Sequence, residues 1–125
     1  MESPSLKATV DLRGRSFRYS LNVIKFTDTL PRDTATQIIT RQLLRSATSI
    51  GANIVEAQAA SSRRDFTNLL NHSLKSANES IYWLSLLKES EKVYGSNIGT
   101  ILNETKELAR ILGASVVTLR RKNKI

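Results

Sequence analysis

The chain has 125 residues, nineteen Lys or Arg against eleven Asp or Glu, one His and no Cys. That length supports one domain around one core. The lack of cysteine excludes disulfides and thiolate metal sites, and no apolar run reaches the roughly 18 residues that a membrane-spanning helix needs. A net charge of +8 and a pI near 10.2 set up a field that attracts polyanions, of which nucleic acid is the commonest. The plainer alternative is a basic protein without such a partner, because net charge governs association without specifying a site. The first residues lack the basic start and long apolar core of a secretory signal, so a cytoplasmic location is expected.

Residues 1–14 contain a proline, a glycine and no sustained periodicity, which predicts a flexible arm, extended around residues 8–10. A first helix is expected over about 16–29, with Phe17, Leu21, Ile24 and Phe26 as its apolar side and Leu30-Pro31 as its end. A second begins at Asp33 or Thr34, where Thr34 and Gln37 fit a capping box. It runs to about Ala59, roughly 40 Å at the usual rise per residue. Its apolar arc extends from Ile39 and Leu43 through Ile50 and Ile54 to Leu44 and Val55. That is close to half the circumference, whereas a helix facing one core needs only about 100°. The excess predicts a second contact surface, either a third neighbour or another subunit.

Ser61-Ser62 interrupts the pattern, and Ser62 with Asp65 forms a second capping-box signature. The third helix then runs to about Ser90, with Phe66, Leu70, Ser73, Leu74, Ala77, Ile81, Leu84 and Lys88 at helical spacing and only two polar intrusions. Residues 93–97 have the composition of a turn. The fourth helix follows to about Arg120 on a stripe of Ile98, Ile101, Leu102, Thr105, Leu108, Leu112, Val116 and Leu119. Residues 122–125 form a basic tail. Four amphipathic helices with short connections predict an all-α, antiparallel up-down-up-down four-helix bundle over residues 15–121.

The densest pattern lies at residues 41–56. At about 100° per residue, Gln42, Arg45, Ser49, Asn53 and Glu56 fall along one edge of the helix, and Leu43, Leu44, Ala47, Ile50, Ile54 and Val55 fall opposite. Gly51 costs about 1 kcal/mol against alanine in a helix interior, so another part of the chain is expected close to the backbone there. The small residues from Ser46 to Ala52 predict close helix packing. The polar edge has two readings. In the structural one its members pair with neighbouring helices or subunits and set register, Arg45 reaching Glu79 and Glu56 reaching a cation. In the functional one Arg45 and Asn53 touch a phosphate or a base. The structural reading is preferred, because ordered polar pairs are common between helices.

Gln42, Arg45, Ser49-Ile50, Ala52-Asn53-Ile54 and Glu56, followed by residues 62–66 (Ser-Arg-Arg-Asp-Phe) and 76–79 (Ser-Ala-Asn-Glu), resemble the signature of the bacterial four helix bundle protein family. That family is also called the 23S rRNA intervening-sequence protein family. The resemblance covers roughly residues 17–119. The chain departs from it at Ala57 and Lys75, where the family often has glycine. The resemblance implies ring-like homo-pentamers. Relatives include accessory proteins of diversity-generating retroelements that bind nucleic acid and reverse transcriptase, and others encoded inside intervening sequences of 23S rRNA genes. It thus implies RNA or DNA, and a nucleic-acid-processing protein such as a reverse transcriptase, as partners. The lack of a long apolar run predicts no membrane association.

No catalytic, cofactor-binding or metal-binding residues are expected. His72 stands alone, with Ser76 and Glu79 further along the same face, and the Glu-x-x-His pair of di-iron bundles is absent. Neither a phosphate-binding loop nor a dinucleotide fingerprint occurs. Nucleic-acid contact is assigned to three basic groups: Arg13, Arg15 and Arg18; Arg63 and Arg64; and Arg120, Arg121 and Lys122. Cations at a helix C-terminus also favour its dipole, so the last group has an ordinary helical explanation as well. Tyr19, Tyr82 and Trp83 offer stacking surfaces, but aromatics are too few for sequence-specific reading. The expectation is a non-catalytic oligomeric scaffold that binds RNA or DNA through phosphates, its rival being a protein–protein adaptor with no nucleic-acid affinity.

Overall fold

A computed structural model describes residues 4–95 and 97–123, with side chains over 12–95 and 97–122. Four helices follow one another: α1 (Pro4–Thr27), α2 (Thr34–Gln58), α3 (Arg63–Glu89) and α4 (Asn97–Asn123). Each packs on its neighbour in the chain and α1 also meets α4, while the diagonal pairs stay apart. This is the antiparallel up-down-up-down bundle expected from the pattern, with no strand among the described residues. The α2–α3 seam is the most extensive and the α1–α4 seam the thinnest.

α1 departs most from its sequence reading. It begins at Pro4, so the flexible arm expected over residues 1–14, with its extended piece at 8–10, is helical from residue 4 onward. Residues 1–3 lie outside the described part, as do residues 124 and 125 of the basic tail, whose first two positions continue α4. The buried face of α1 is Leu12, Ser16, Tyr19, Val23 and Phe26, a run at alternating spacings of four and three that marks one side of a helix. Phe17, Leu21 and Ile24, expected to face the core, are exposed. Ser16 and Tyr19 are the polar members of this buried face. In the fold the hydroxyl of Ser16 satisfies the Arg13 carbonyl one turn back, at 3.1 Å, and Tyr19 finds a partner across the core.

The other helices keep their expected faces. Leu43, Ala47, Ile50, Ile54 and Ala57 of α2, Leu70, Ala77, Leu84 and Leu87 of α3, and Ile98, Leu102, Leu108, Leu112 and Val116 of α4 form one continuous core. The cap of α2 is Asp33, whose carboxylate accepts from the Thr36 N–H at 3.2 Å, in place of the Thr34 box. Ser62 caps α3 as expected, accepting from the Asp65 N–H at 3.1 Å. Glu91 (φ 61°) and Gly95 (φ 109°) turn the chain between α3 and α4, the latter at a φ that glycine alone adopts freely.

Three buried polar links cross the core. The Tyr19 hydroxyl lies 2.6 Å from Thr105 Oγ1. The Thr105 hydroxyl donates to the Ile101 carbonyl at 2.7 Å, so its single proton is used and Tyr19 is the donor. The Ser46 and Ser80 hydroxyls meet at 2.8 Å between α2 and α3, and Ser73 donates to the Ile50 carbonyl at 2.8 Å. A Cβ on Gly51 would lie 3.2 Å from Ser16 Oγ, so the close approach expected at this glycine is made by α1.

Candidate nucleic-acid interface

The topology decides which basic groups meet. Antiparallel connection places the end of α2, the start of α3 and the end of α4 at one end of the bundle, with the N-terminal half of α1. Arg63, Arg64, Arg120, Arg121 and Lys122 are all exposed there. None of the five joins an ion pair among the described residues. Arg13 lies at this end as well, donating to Gln58 Oε1 at 2.9 Å. The described acids nearby are Glu56 and Asp65, and Ser61 donates to Asp65 at 2.7 Å. At the opposite end Lys25, Arg32, Arg41, Lys88 and Lys92 stand among Asp28, Asp33, Glu89 and Glu91, and Lys92 pairs with Asp33 at 2.7 Å. The positive charge is therefore concentrated at the first end.

The two clusters there have different physical origins. Arg120, Arg121 and Lys122 occupy the last turn of α4, where cations complement the negative end of the dipole. Arg63 and Arg64 open α3, at its positive end, where cations are unfavourable. The Ser62 cap and the Asp65 carboxylate in the first turn offset that repulsion without removing it. Helix stability accounts for one cluster and argues against the other.

Arg15 and Arg18 lie nearer the middle of α1. Arg15 is half-buried and forms an ion pair with Glu104 of α4. The hydrogen bond to Glu104 raises its pKa above the usual arginine value, with the charges of Glu104 and Glu107 adding to the effect against partial burial. Its charge is matched inside the molecule, which removes it from the set free to meet phosphate. The Arg18 guanidinium lies back along the helix, with Nη1 3.3 Å from where a Cβ of Gly14 would stand.

The polar edge of α2 is resolved residue by residue. Arg45 bridges Gln42, at 3.3 Å, and Glu79 of α3, at 2.6 Å. Ser49 donates to the Arg45 carbonyl and Asn53 to the Ser49 carbonyl, both at 2.8 Å, so these two serve their own helix. The Ser76 carbonyl accepts from Ser80. Glu56 is exposed and has no side-chain partner among the described residues. Tyr19 is enclosed in the core and has no face for stacking. Tyr82 is exposed and meets the half-buried Trp83 edge-on, ring centres 5.1 Å apart.

His72 is exposed on α3. No group of three or more His, Cys, Asp or Glu suited to a metal occurs among the described residues, and no described helix is long and apolar enough to cross a membrane. Phe17, Leu21 and Ile24 are exposed and escaped the sequence reading as surface features, because they lie on a periodic stripe that a core uses equally well. Ile38 and Leu86, also exposed, lie on no stripe read from the sequence.

A profile of the family described as 23S rRNA-intervening sequence protein matches residues 9–114. A crystal structure of a protein of unknown function from the S23 ribosomal protein family of Bacteroides thetaiotaomicron superposes with a TM-score of 0.80 at 35% sequence identity, covering 87% of this chain and 97% of that one. No curated protein matches the chain. The profile takes in nearly the whole bundle, and the chain belongs to the 23S rRNA-intervening sequence protein family.

Proposed function

We propose that this protein is a non-catalytic, oligomeric helical scaffold whose basic end binds RNA or DNA through phosphates. The observation that carries the reading is the pair Arg63–Arg64, held at the helix end where cations destabilise and set beside the free cations that close α4. Six described cations gather there against two acids. A surface of this kind displaces counterions and holds a phosphate backbone without reading bases. The family's description ties it to ribosomal RNA genes, which favours RNA. Self-association is supported by exposed apolar residues along the α2–α3 seam: Ile38 of α2 is 56% exposed and Leu86 of α3 37%. Arg45 and Glu79 fix the α2–α3 register. Ile38 lies seven residues before the one and Leu86 seven after the other, so they repeat that juxtaposition two turns away, with Tyr82 alongside. Repeating the basic end around an assembly would turn modest patches into a belt.

The test is a salt titration of binding to unrelated RNA and DNA. The logarithm of affinity should fall steeply with that of salt, and Arg120→Ala with Arg121→Ala should flatten the slope by about 2. No binding at low salt would overturn the reading and favour a protein–protein adaptor.

A further inference from the structure

A second surface lies away from the basic end. Phe17, Leu21 and Ile24 follow one another at spacings of four and three on the outer side of α1, 66%, 42% and 45% exposed. Ser16 against Gly51 sets the antiparallel register of α1 and α2. That register puts half-buried Leu44 level with Ile24, and Val55 about 7 Å beyond Phe17, both on the side of α2 that turns toward α1. The apolar strip so formed runs about 18 Å along the two helices, the length of three turns of a docked helix.

Cations line the long edges of the strip, while Asp28, one turn beyond Ile24, and Glu56, next to Val55, stand at its two ends. Residues 12–27 and 34–55 contain no Asp or Glu. Arg18, three residues before Leu21, and Lys25, four after it, lie on the next edge of α1, Arg41 lies one turn from Leu44 on α2, and all three are exposed and outside any ion pair among the described residues. Five of the seven acids within the helices lie on α3 and α4, Asp11 and Glu56 being the exceptions.

We propose that the α1–α2 face docks an acidic amphipathic helix of a partner protein. The aliphatic strip seats that helix's apolar side, as in helix-in-groove recognition, and the cations along both edges meet its carboxylates. A nucleic acid has no aliphatic surface to cover Leu21, Ile24 and Val55, and a basic partner would be repelled. The site is separate from the phosphate-binding end and stands whether or not that end binds nucleic acid.

The probes are two synthetic helices of about 18 residues sharing one Leu/Ile stripe, one with Glu and one with Lys on its polar side. They are titrated into the full chain. The Glu-faced peptide is expected to bind at least about tenfold tighter than the Lys-faced one. Leu21→Ser with Ile24→Ser should abolish that binding and leave the thermal midpoint in place, since both side chains are exposed. Arg18→Ala with Lys25→Ala should erase the preference for Glu. Arg63→Ala with Arg64→Ala should leave peptide binding unchanged, which separates this site from the nucleic-acid end. Equal binding of both peptides, or binding indifferent to the Leu21 and Ile24 changes, overturns the proposal. So does sedimentation showing that those changes dissolve an assembly of this chain, which would make the occupant a second copy. Binding confined to anionic phosphatidylserine vesicles would likewise overturn it.

Discussion

Tyr19 shows how one side chain ties sequence, packing and pH together. Burial pushes its pKa from 10 up to about 12, partly opposed by the hydrogen bond to Thr105. An unfolded tyrosine ionises near pH 10, so between pH 10 and about 12 only the unfolded chain gains by losing the proton. The folded state should therefore lose stability as pH rises through that window, at up to about 1.4 kcal/mol per pH unit. Urea midpoints measured from pH 8 to 11 check this. Tyr19→Phe should cost about 1 kcal/mol at neutral pH and flatten the alkaline fall. Gly51 gives a second case. Alanine there gains about 1 kcal/mol of helix propensity but meets the Ser16 hydroxyl at 3.2 Å, so Gly51→Ala alone should be nearly neutral. With Ser16→Ala the crowding atom is gone, and the same change should stabilise by several tenths of a kcal/mol. A double-mutant cycle by thermal denaturation reads the coupling.

Caps and charge placement decide how firmly each helix ends. Asp33 caps α2 and also pairs with Lys92 from the α3–α4 connection. The Lys92 hydrogen bond, followed by those from Thr36, lowers its pKa from 3.8 to about 2. The folded value lies below the unfolded one, so this contribution is present above pH 4 and is lost as pH falls toward 2. Asp33→Asn should shallow the acid limb of a stability–pH curve while leaving neutral stability less affected. Ser62→Ala removes the cap of α3 and should cost about 1 kcal/mol in urea unfolding. Arg63→Glu with Arg64→Glu should stabilise α3 by a few tenths of a kcal/mol per site and at the same time weaken RNA binding. Opposite signs of the two effects are what a functional, rather than structural, role for these arginines requires.

Across the whole molecule, charge and apolar surface are unevenly distributed: cations crowd one end, and uncovered aliphatic and aromatic groups lie along α1, α2 and α3. An assembly is the expected state, and sedimentation at micromolar concentration checks it; a monomer there would defeat the oligomeric part of the scaffold reading. Ile38→Asp with Leu86→Asp should shift that assembly toward smaller species without unfolding the subunit, because both side chains reach solvent. Peptide binding at the α1–α2 face should survive that change.

Periodicity, turn composition and capping residues were enough to place α2, α3 and α4 within a few residues and to make the chain an up-down bundle. These signals are local, and the apolar residues of those helices' stripes are buried or packed against the core, with Val55 the exception. The same signals gave the basic groups singly; the antiparallel topology brought Arg63–Arg64 and Arg120–Lys122 to one end. For α1 they did not suffice. It carries two stripes, Leu12–Ser16–Tyr19–Val23–Phe26 and Phe17–Leu21–Ile24, and the second is the more apolar. Periodicity says which residues share a face but not which face finds a complement. Packing chose the first stripe, because Ser16 fits where Gly51 has no side chain, Tyr19 reaches Thr105, and Arg15 on the adjoining edge pairs with Glu104. All three partners lie between about 35 and 90 positions away, beyond the reach of any local pattern.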